Sequence, residues 1–145
     1  MMHGVWAIAE SALPMVQAKY AAMVQAMVTG GVVEDSRRIG LNIQNVNGTA
    51  VIPVMGPMLR RVGFWESRFG FVGHEQVQAA IASANADEQV QRILLAMDTP
   101  GGDVSGVEEL AQAVANSAKP VQVQVVGMLA SAGYYVAARA QKITA

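Results

Sequence analysis

Hydrophobic and polar positions change period several times along the chain, and each change predicts an element. Val16, Tyr20, Met23, Val24 and Met27 recur at helical spacing, and Gly30-Gly31 ends that helix. Glu34 to Arg38 then reads as a solvated linker. Leu41 to Val46 alternates strictly, as a half-buried strand does. Asn47-Gly48 is a hairpin signal, and Thr49 to Met55 returns as the partner strand, with Pro53 marking an edge or a bulge. Gly56 to Gly73 shows no period and is expected as a long loop, holding Arg60, Arg61, Phe64, Trp65, Phe69 and Phe71. Its aromatic rings either form a flap over a groove or a subunit contact, or fold onto the core.

From Gly73 the order becomes helix, strand, helix, strand, helix, strand. Helical spacing runs through Val77, Ala80, Ile81 and Ala84. Ile93 to Met97 is an unbroken apolar run that fits a strand buried on both faces. Asp98-Thr99-Pro100 stops it and Gly101-Gly102 turns the chain. Ser105-Gly106-Val107-Glu108 reads as a capping box opening a helix whose apolar face is Val107, Leu110, Ala111 and Val114. Val121 to Val126 is the next strand, Gly127 to Ala130 a turn, and Ser131 begins a further helix. Lys142-Ile143-Thr144-Ala145 is a last strand. Such alternation implies an α/β fold with right-handed crossovers and a largely parallel sheet.

Composition narrows the chemistry. Of 145 residues, 52% are hydrophobic and 14% charged, which is a globular balance with enough chain for a core. A net charge of −1 gives no sign of a nucleic-acid or anionic-membrane partner. The chain has no cysteine, which excludes thiol catalysis, disulfides and cysteine-bound zinc. No ligand cluster suggests a metal, and no cofactor motif appears. Met1 to Thr29 is apolar but interrupted by Glu10, Pro14 and Lys19, short of the roughly 18 uninterrupted residues of a membrane span.

Candidate chemistry lies at two strand-to-helix turns. Ser131 heads a helix among small residues, where the Ala132 amide and the helix dipole favour a developing oxyanion. An amide of Gly101 or Gly102 supplies a second donor. An ordinary capping serine is the competing account of Ser131. His74 is expected in a surface or capping role, Lys119 on the surface where a strand begins, and Asp98 and Asp103 as turn formers beside the glycines.

The stretches D-T-P-G-G-D-V-S-G, K-P-V, G-M-L-A-S-A-G-Y-Y-V-A and K-I-T-A resemble the signal peptide peptidase A family, serine peptidases of the Clp protease/crotonase fold. W-A-I-A-E-S-A-L and N-G-T-A-V-I-P-V-M-G-P resemble its phage branch, the minor capsid or head maturation proteases. The resemblance implies a peptidase with Ser131 as nucleophile and Gly101 or Gly102 with Ala132 as the oxyanion hole. It also implies a Ser–Lys dyad whose lysine has no matching position here, since Lys142 resembles a structural lysine of the family. Protein substrates such as scaffold or capsid proteins, self-association and a cytoplasmic setting follow from the same resemblance.

Two regions are expected: residues 1–38 as a helical arm and linker, and residues 39–145 as a peptidase domain whose C-terminal part lies beyond Ala145. A catalytically inactive homologue serving capsid assembly is the second reading, and an acyl-CoA enzyme of the crotonase type the third.

Overall fold

A computed structural model describes residues 5–30 and 40–145. The expected linker at Glu34 to Arg38 lies outside the described residues. Five strands form the principal sheet: β2 (Gln44–Val46), β3 (Thr49–Met55), β6 (Arg92–Thr99), β8 (Val121–Leu129) and β9 (Lys142–Thr144), in that spatial order. β2 and β3 make the expected antiparallel hairpin, and Asn47 and Gly48 both take positive φ, as its two-residue turn requires. The remaining neighbours are parallel. Pro53 sits past the end of β2, where β3 has no partner on that side and the missing N–H costs nothing.

Three helices connect these strands: α3 (His74–Ala86), α4 (Val107–Ala115) and α5 (Ser131–Ala137). Because the strand order follows the chain, successive right-handed crossovers put all three on one face. That face is the core. Ile93, Leu95 and Met97 of β6, Ile52 and Val54 of β3, and Val121 and Val123 of β8 pack there against Val77, Ile81, Leu110, Val114 and Val136. β6 is therefore buried on one face and only half-buried on the other, through Leu94 and Ala96, and not on both faces as its apolar run implied. No helix of the described residues covers the second face.

Gly56 to Gly73 is not a structureless loop. It contains β4 (Met58–Leu59), α2 (Phe64–Arg68) and β5 (Val72–Gly73). These strands belong to a second sheet, in the order β1 (Trp6–Ile8), β7 (Gly101–Asp103), β4, β5. Elements this short lack the repeats that reveal a period. α1 (Leu13–Gly30) comes after β1 and buries Val16 and Met23 against Phe71, with Tyr20, Met27, Trp65 and Phe69 around them. The aromatic rings thus fold onto the chain's own N-terminal helix. Val24, placed by spacing on that face, is exposed.

Three local expectations are corrected. Ser105 is not a cap: α4 begins after Gly106 at φ +85 without a side-chain cap, and the Ser105 amide donates to Asp103 Oδ1 at 2.9 Å. His74 is not on the surface. It is fully buried, its Nδ1 donates to the Ser105 carbonyl at 2.9 Å, and its Nε2 has no partner. Burial holds the His74 pKa below the ordinary histidine value, against the opposing pull of the Ser105 carbonyl and of Asp103 and Glu109. Lys119 donates Nζ to the carbonyls of Ala84 and Asp87, closing the C-terminus of α3, where a cation satisfies orphan carbonyls.

Candidate active site

β6 and β8 end side by side, and both candidate turns leave from that end of the sheet. The two strands do not end in step. Met97 pairs with Val125 but Thr99 with Leu129, so β8 carries two additional residues and bulges. The Asp98 carboxylate sits in the bulge and accepts from the Met128 amide at 2.7 Å. A Cβ on Gly127 would meet that carboxylate at 2.6 Å, so only glycine passes over it. Asp98 is thus a positioning residue for the Ala130-Ser131 segment after β8, more than a turn former. The expected turn at Gly127 to Ala130 is in fact the end of the strand.

Beyond the bulge, the Ala130 amide donates to the Thr99 carbonyl at 3.2 Å, and Ser131 opens α5. Ser131 has φ +50, a left-handed backbone that costs a non-glycine residue roughly 1–2 kcal/mol. It is not the cap; Ala130 holds that position, and no side chain caps α5. The amides of Gly133 and Tyr134 close on the Ala130 carbonyl. Ala132 lies in the first turn of the helix, ahead of its first full i to i−4 bond. Gly133 lets α5 approach β6, since a Cβ there would meet Thr99 Cγ2 at 2.4 Å.

The glycine turn faces this serine. A Cβ on Gly101, itself at φ +94, would meet the Ala7 carbonyl oxygen at 2.3 Å, Ser131 Cβ at 2.9 Å and the Ala132 nitrogen at 3.0 Å. Those groups converge on one point, which the absent side chain leaves open. The Gly101 amide is turned elsewhere, donating to Thr99 Oγ1 at 3.1 Å. Gly102 passes so close to β4 that a Cβ would meet the Met58 carbonyl oxygen at 2.0 Å. Ser131, Ala132, Gly101 and Gly102 are therefore neighbours across the sheet end. Ser131 lies about thirty residues downstream of the glycines.

Ser131 and Ala132 open onto a cleft of about 420 Å³, lined also by Ala7, Val104, Val107, Glu108 and Tyr135. Its rim is tied together. The Tyr135 hydroxyl donates to Glu108 Oε2 at 2.5 Å, Gln112 donates to Glu108 Oε1 at 2.7 Å, and Arg139 donates to the Tyr135 oxygen at 3.2 Å. The Tyr135 hydroxyl, then Gln112, hold the Glu108 carboxyl below its usual range. A larger groove of about 550 Å³ runs along α3 beside Leu41, Arg61 and Glu75 and shares no residue with this cleft. Lys119 is engaged at the end of α3, and Lys142 pairs with Gln122 at the opposite end of β8, roughly 20 Å away at ~3.3 Å per residue. Among the described residues no group of three or more His, Cys, Asp or Glu could hold a metal.

Comparison with known proteins decides the family. A model of the Clp protease family matches residues 71–144, about half of the chain, with both turns inside the match. The chain belongs to the Clp protease family. It is 35% identical over 111 residues to Capsid assembly protease C of Escherichia phage lambda, covering 75% of this chain and 25% of that protein. It is 40% identical over 80 residues to Protease 4 of Salmonella typhi, covering 52% of this chain and 13% of that protein. The resemblance to signal peptide peptidase A-like phage proteases is thereby borne out. The chain spans about a quarter or less of the length of these relatives. An enoyl-CoA hydratase from Polaromonas sp. JS666 superposes with a TM-score of 0.56 at 13% identity, over 72% of this chain and 47% of that one, a likeness of fold alone.

Three features of the site escaped the sequence pattern: Asp98 as the seat of the bulge, Thr99 as the acceptor for Gly101, and Trp6–Ile8. The alternation of large, small and large in Trp6-Ala7-Ile8 was the one available signal for the last, and three residues are too few to carry a period.

Proposed function

We propose that the chain is the nucleophile-bearing part of a serine endopeptidase that cuts scaffold or capsid proteins during phage head maturation, in the cytoplasm of the infected cell and as part of an oligomer. Ser131 Oγ attacks the peptide carbonyl carbon, and the amides of Ala132 and Gly102 receive the oxyanion, with Gly101 keeping the space clear. The bond to the leaving amine then breaks and water releases the acyl group. A lysine outside this chain takes the serine proton in this reading. The observation that carries it is Ser131 itself: a strained, exposed residue at the head of α5, against an open glycine and the Ala132 amide. A serine needed only for structure would gain from relaxing to negative φ.

The phage capsid setting rests on the similarity to the lambda protein and on the family. No described helix is long and apolar enough to cross a membrane.

The test is intact mass after exposure to a fluorophosphonate, with the lysine-bearing remainder of the protein present. A single adduct on the chain, reduced at least about a thousandfold in rate by Ser131→Ala, is the expected result. No adduct on a chain shown to be folded would favour the non-catalytic assembly reading. That reading has its own support in the engagement of Lys119 and the remoteness of Lys142.

A further inference from the structure

Trp6–Ile8 lies antiparallel along β7, with Ala7 opposite Gly102. The Ala9 amide donates to the Pro100 carbonyl at 2.8 Å and the Val104 amide to the Val5 carbonyl at 2.9 Å. In an antiparallel ladder the hydrogen-bonded pairs alternate, so Ala7 and Gly102 are the bonded pair between these two. The Ala7 carbonyl thus takes the Gly102 amide, and the same oxygen points at the gap left by Gly101, beside Ser131 and the Ala132 nitrogen. Side chains alternate along the strand: Ala7 packs with the main core and lines the cleft of Ser131, while Trp6 and Ile8 join the cluster around α1. An extended segment thus places a backbone carbonyl on the Gly102 amide and at the edge of the gap that Ser131 and the Ala132 nitrogen also border.

We infer that Trp6–Ile8 is an intramolecular substrate mimic: it occupies the strand position that a protein substrate takes on β7, and it must leave before a substrate can bind. This rests on the reading of Ser131 and Gly102 given above. The mimic also describes the substrate. It is an extended polypeptide whose residue at the Ala7 position is apolar, because the cleft there is lined by Val104, Val107, Ala132 and Tyr135. An acidic residue at that position is excluded by the cost of burying its charge and by the Glu108 carboxylate at the rim. Three backbone pairs hold the mimic, few enough for exchange with a longer strand.

The test uses the full chain carrying Ser131→Ala, so that no cleavage intervenes, and a fluorescent peptide with the sequence of residues 5–11. Ala7→Asp in the chain is expected to release the strand and to bind the peptide at least tenfold more tightly than the unaltered strand allows. A peptide with aspartate at its own Ala7 position should bind at least tenfold more weakly. Equal affinity of the two chains for the peptide would overturn the inference. A second measurement needs no change at Ala7. With saturating peptide, amide hydrogen exchange should quicken at Ala9, on the displaced strand, while Val104 stays protected by the incoming one. Unchanged exchange at Ala9 would equally overturn it. Peptide exchange without any fluorophosphonate adduct on the protein with Ser131 intact would sink the peptidase reading alone, and such an adduct without exchange would sink only the mimic.

Discussion

Two serines head two helices at the same end of the sheet, and their sequence surroundings are alike. Ser105 precedes α4 in a stretch with the spacing of a capping box; Ser131 opens α5 among small residues. Neither caps its helix. Ser105 is half-buried: its amide is spent on Asp103, its carbonyl on His74, and its hydroxyl accepts a long bond of 3.4 Å from Arg60. Gly106 takes the positive φ that the turn into α4 needs, so Ser105 is unstrained. At the other turn no glycine relieves the backbone, and Ser131 carries the positive φ itself. A turn built only to start a helix assigns its strained position to glycine. In the proposed function, the turn that presents the Ser131 hydroxyl accepts the strain in the residue that bears it.

Substitutions can break this comparison, and the largest effect is expected at the shared floor. Gly102→Ala drives a Cβ into the Met58 carbonyl and should cost about 3 kcal/mol by parting β7 from β4, read from urea denaturation. A loss below about 1 kcal/mol would mean that β4 moves freely and that the site is less rigid than its packing implies. Next comes Asp98→Ala, which empties the bulge beneath Ser131. About 1.5 kcal/mol of stability should go with the bond to Met128, and fluorophosphonate labelling should slow at least tenfold, while the Ser105 side stays intact.

The serines themselves should respond oppositely. Ser131→Gly removes the strain and should stabilise the chain by about 1 kcal/mol while abolishing labelling. Ser105→Ala should change stability by less than about 0.5 kcal/mol, measured by the same urea denaturation. If the two behaved alike, the distinction between presenting and starting turns would fail.

The smallest effect is set by pH and belongs to the Ser105 side. His74 has its folded pKa lowered by burial, so below about pH 6.5 the unfolded chain binds the extra proton first. Its contribution is therefore present at neutral pH and is lost progressively as pH falls through the unfolded value toward the folded one. His74→Gln should flatten that slope in denaturation curves taken from neutral to mildly acid pH. Retention of the full slope would assign it to carboxylates instead.

Much of the fold was legible because its long elements repeat. α3, α4, β6, β8 and the hairpin each carry enough residues to show a period or a turn signal, and alternation of strand and helix implies crossover on a parallel sheet. The second sheet was not legible, since its strands have two or three residues each. The burial of His74 is not legible for a related reason: a histidine at a helix start looks the same whether water or a neighbouring turn receives its proton. Lys119 likewise reads as a surface cation until α3 is seen to end beside it.

By itself the sequence determined that the chain is α/β, that two small-residue turns come after two strands, and that a serine stands at one of them. Local spacing and turn chemistry suffice for such statements, because they depend on residues within one or two turns of each other. The tertiary structure decided that the Gly101 amide turns to Thr99 while the Gly102 amide faces Trp6–Ile8, and how Asp98 lifts the second turn into place. Those outcomes depend on the register of strands far apart in the chain, which no local pattern encodes.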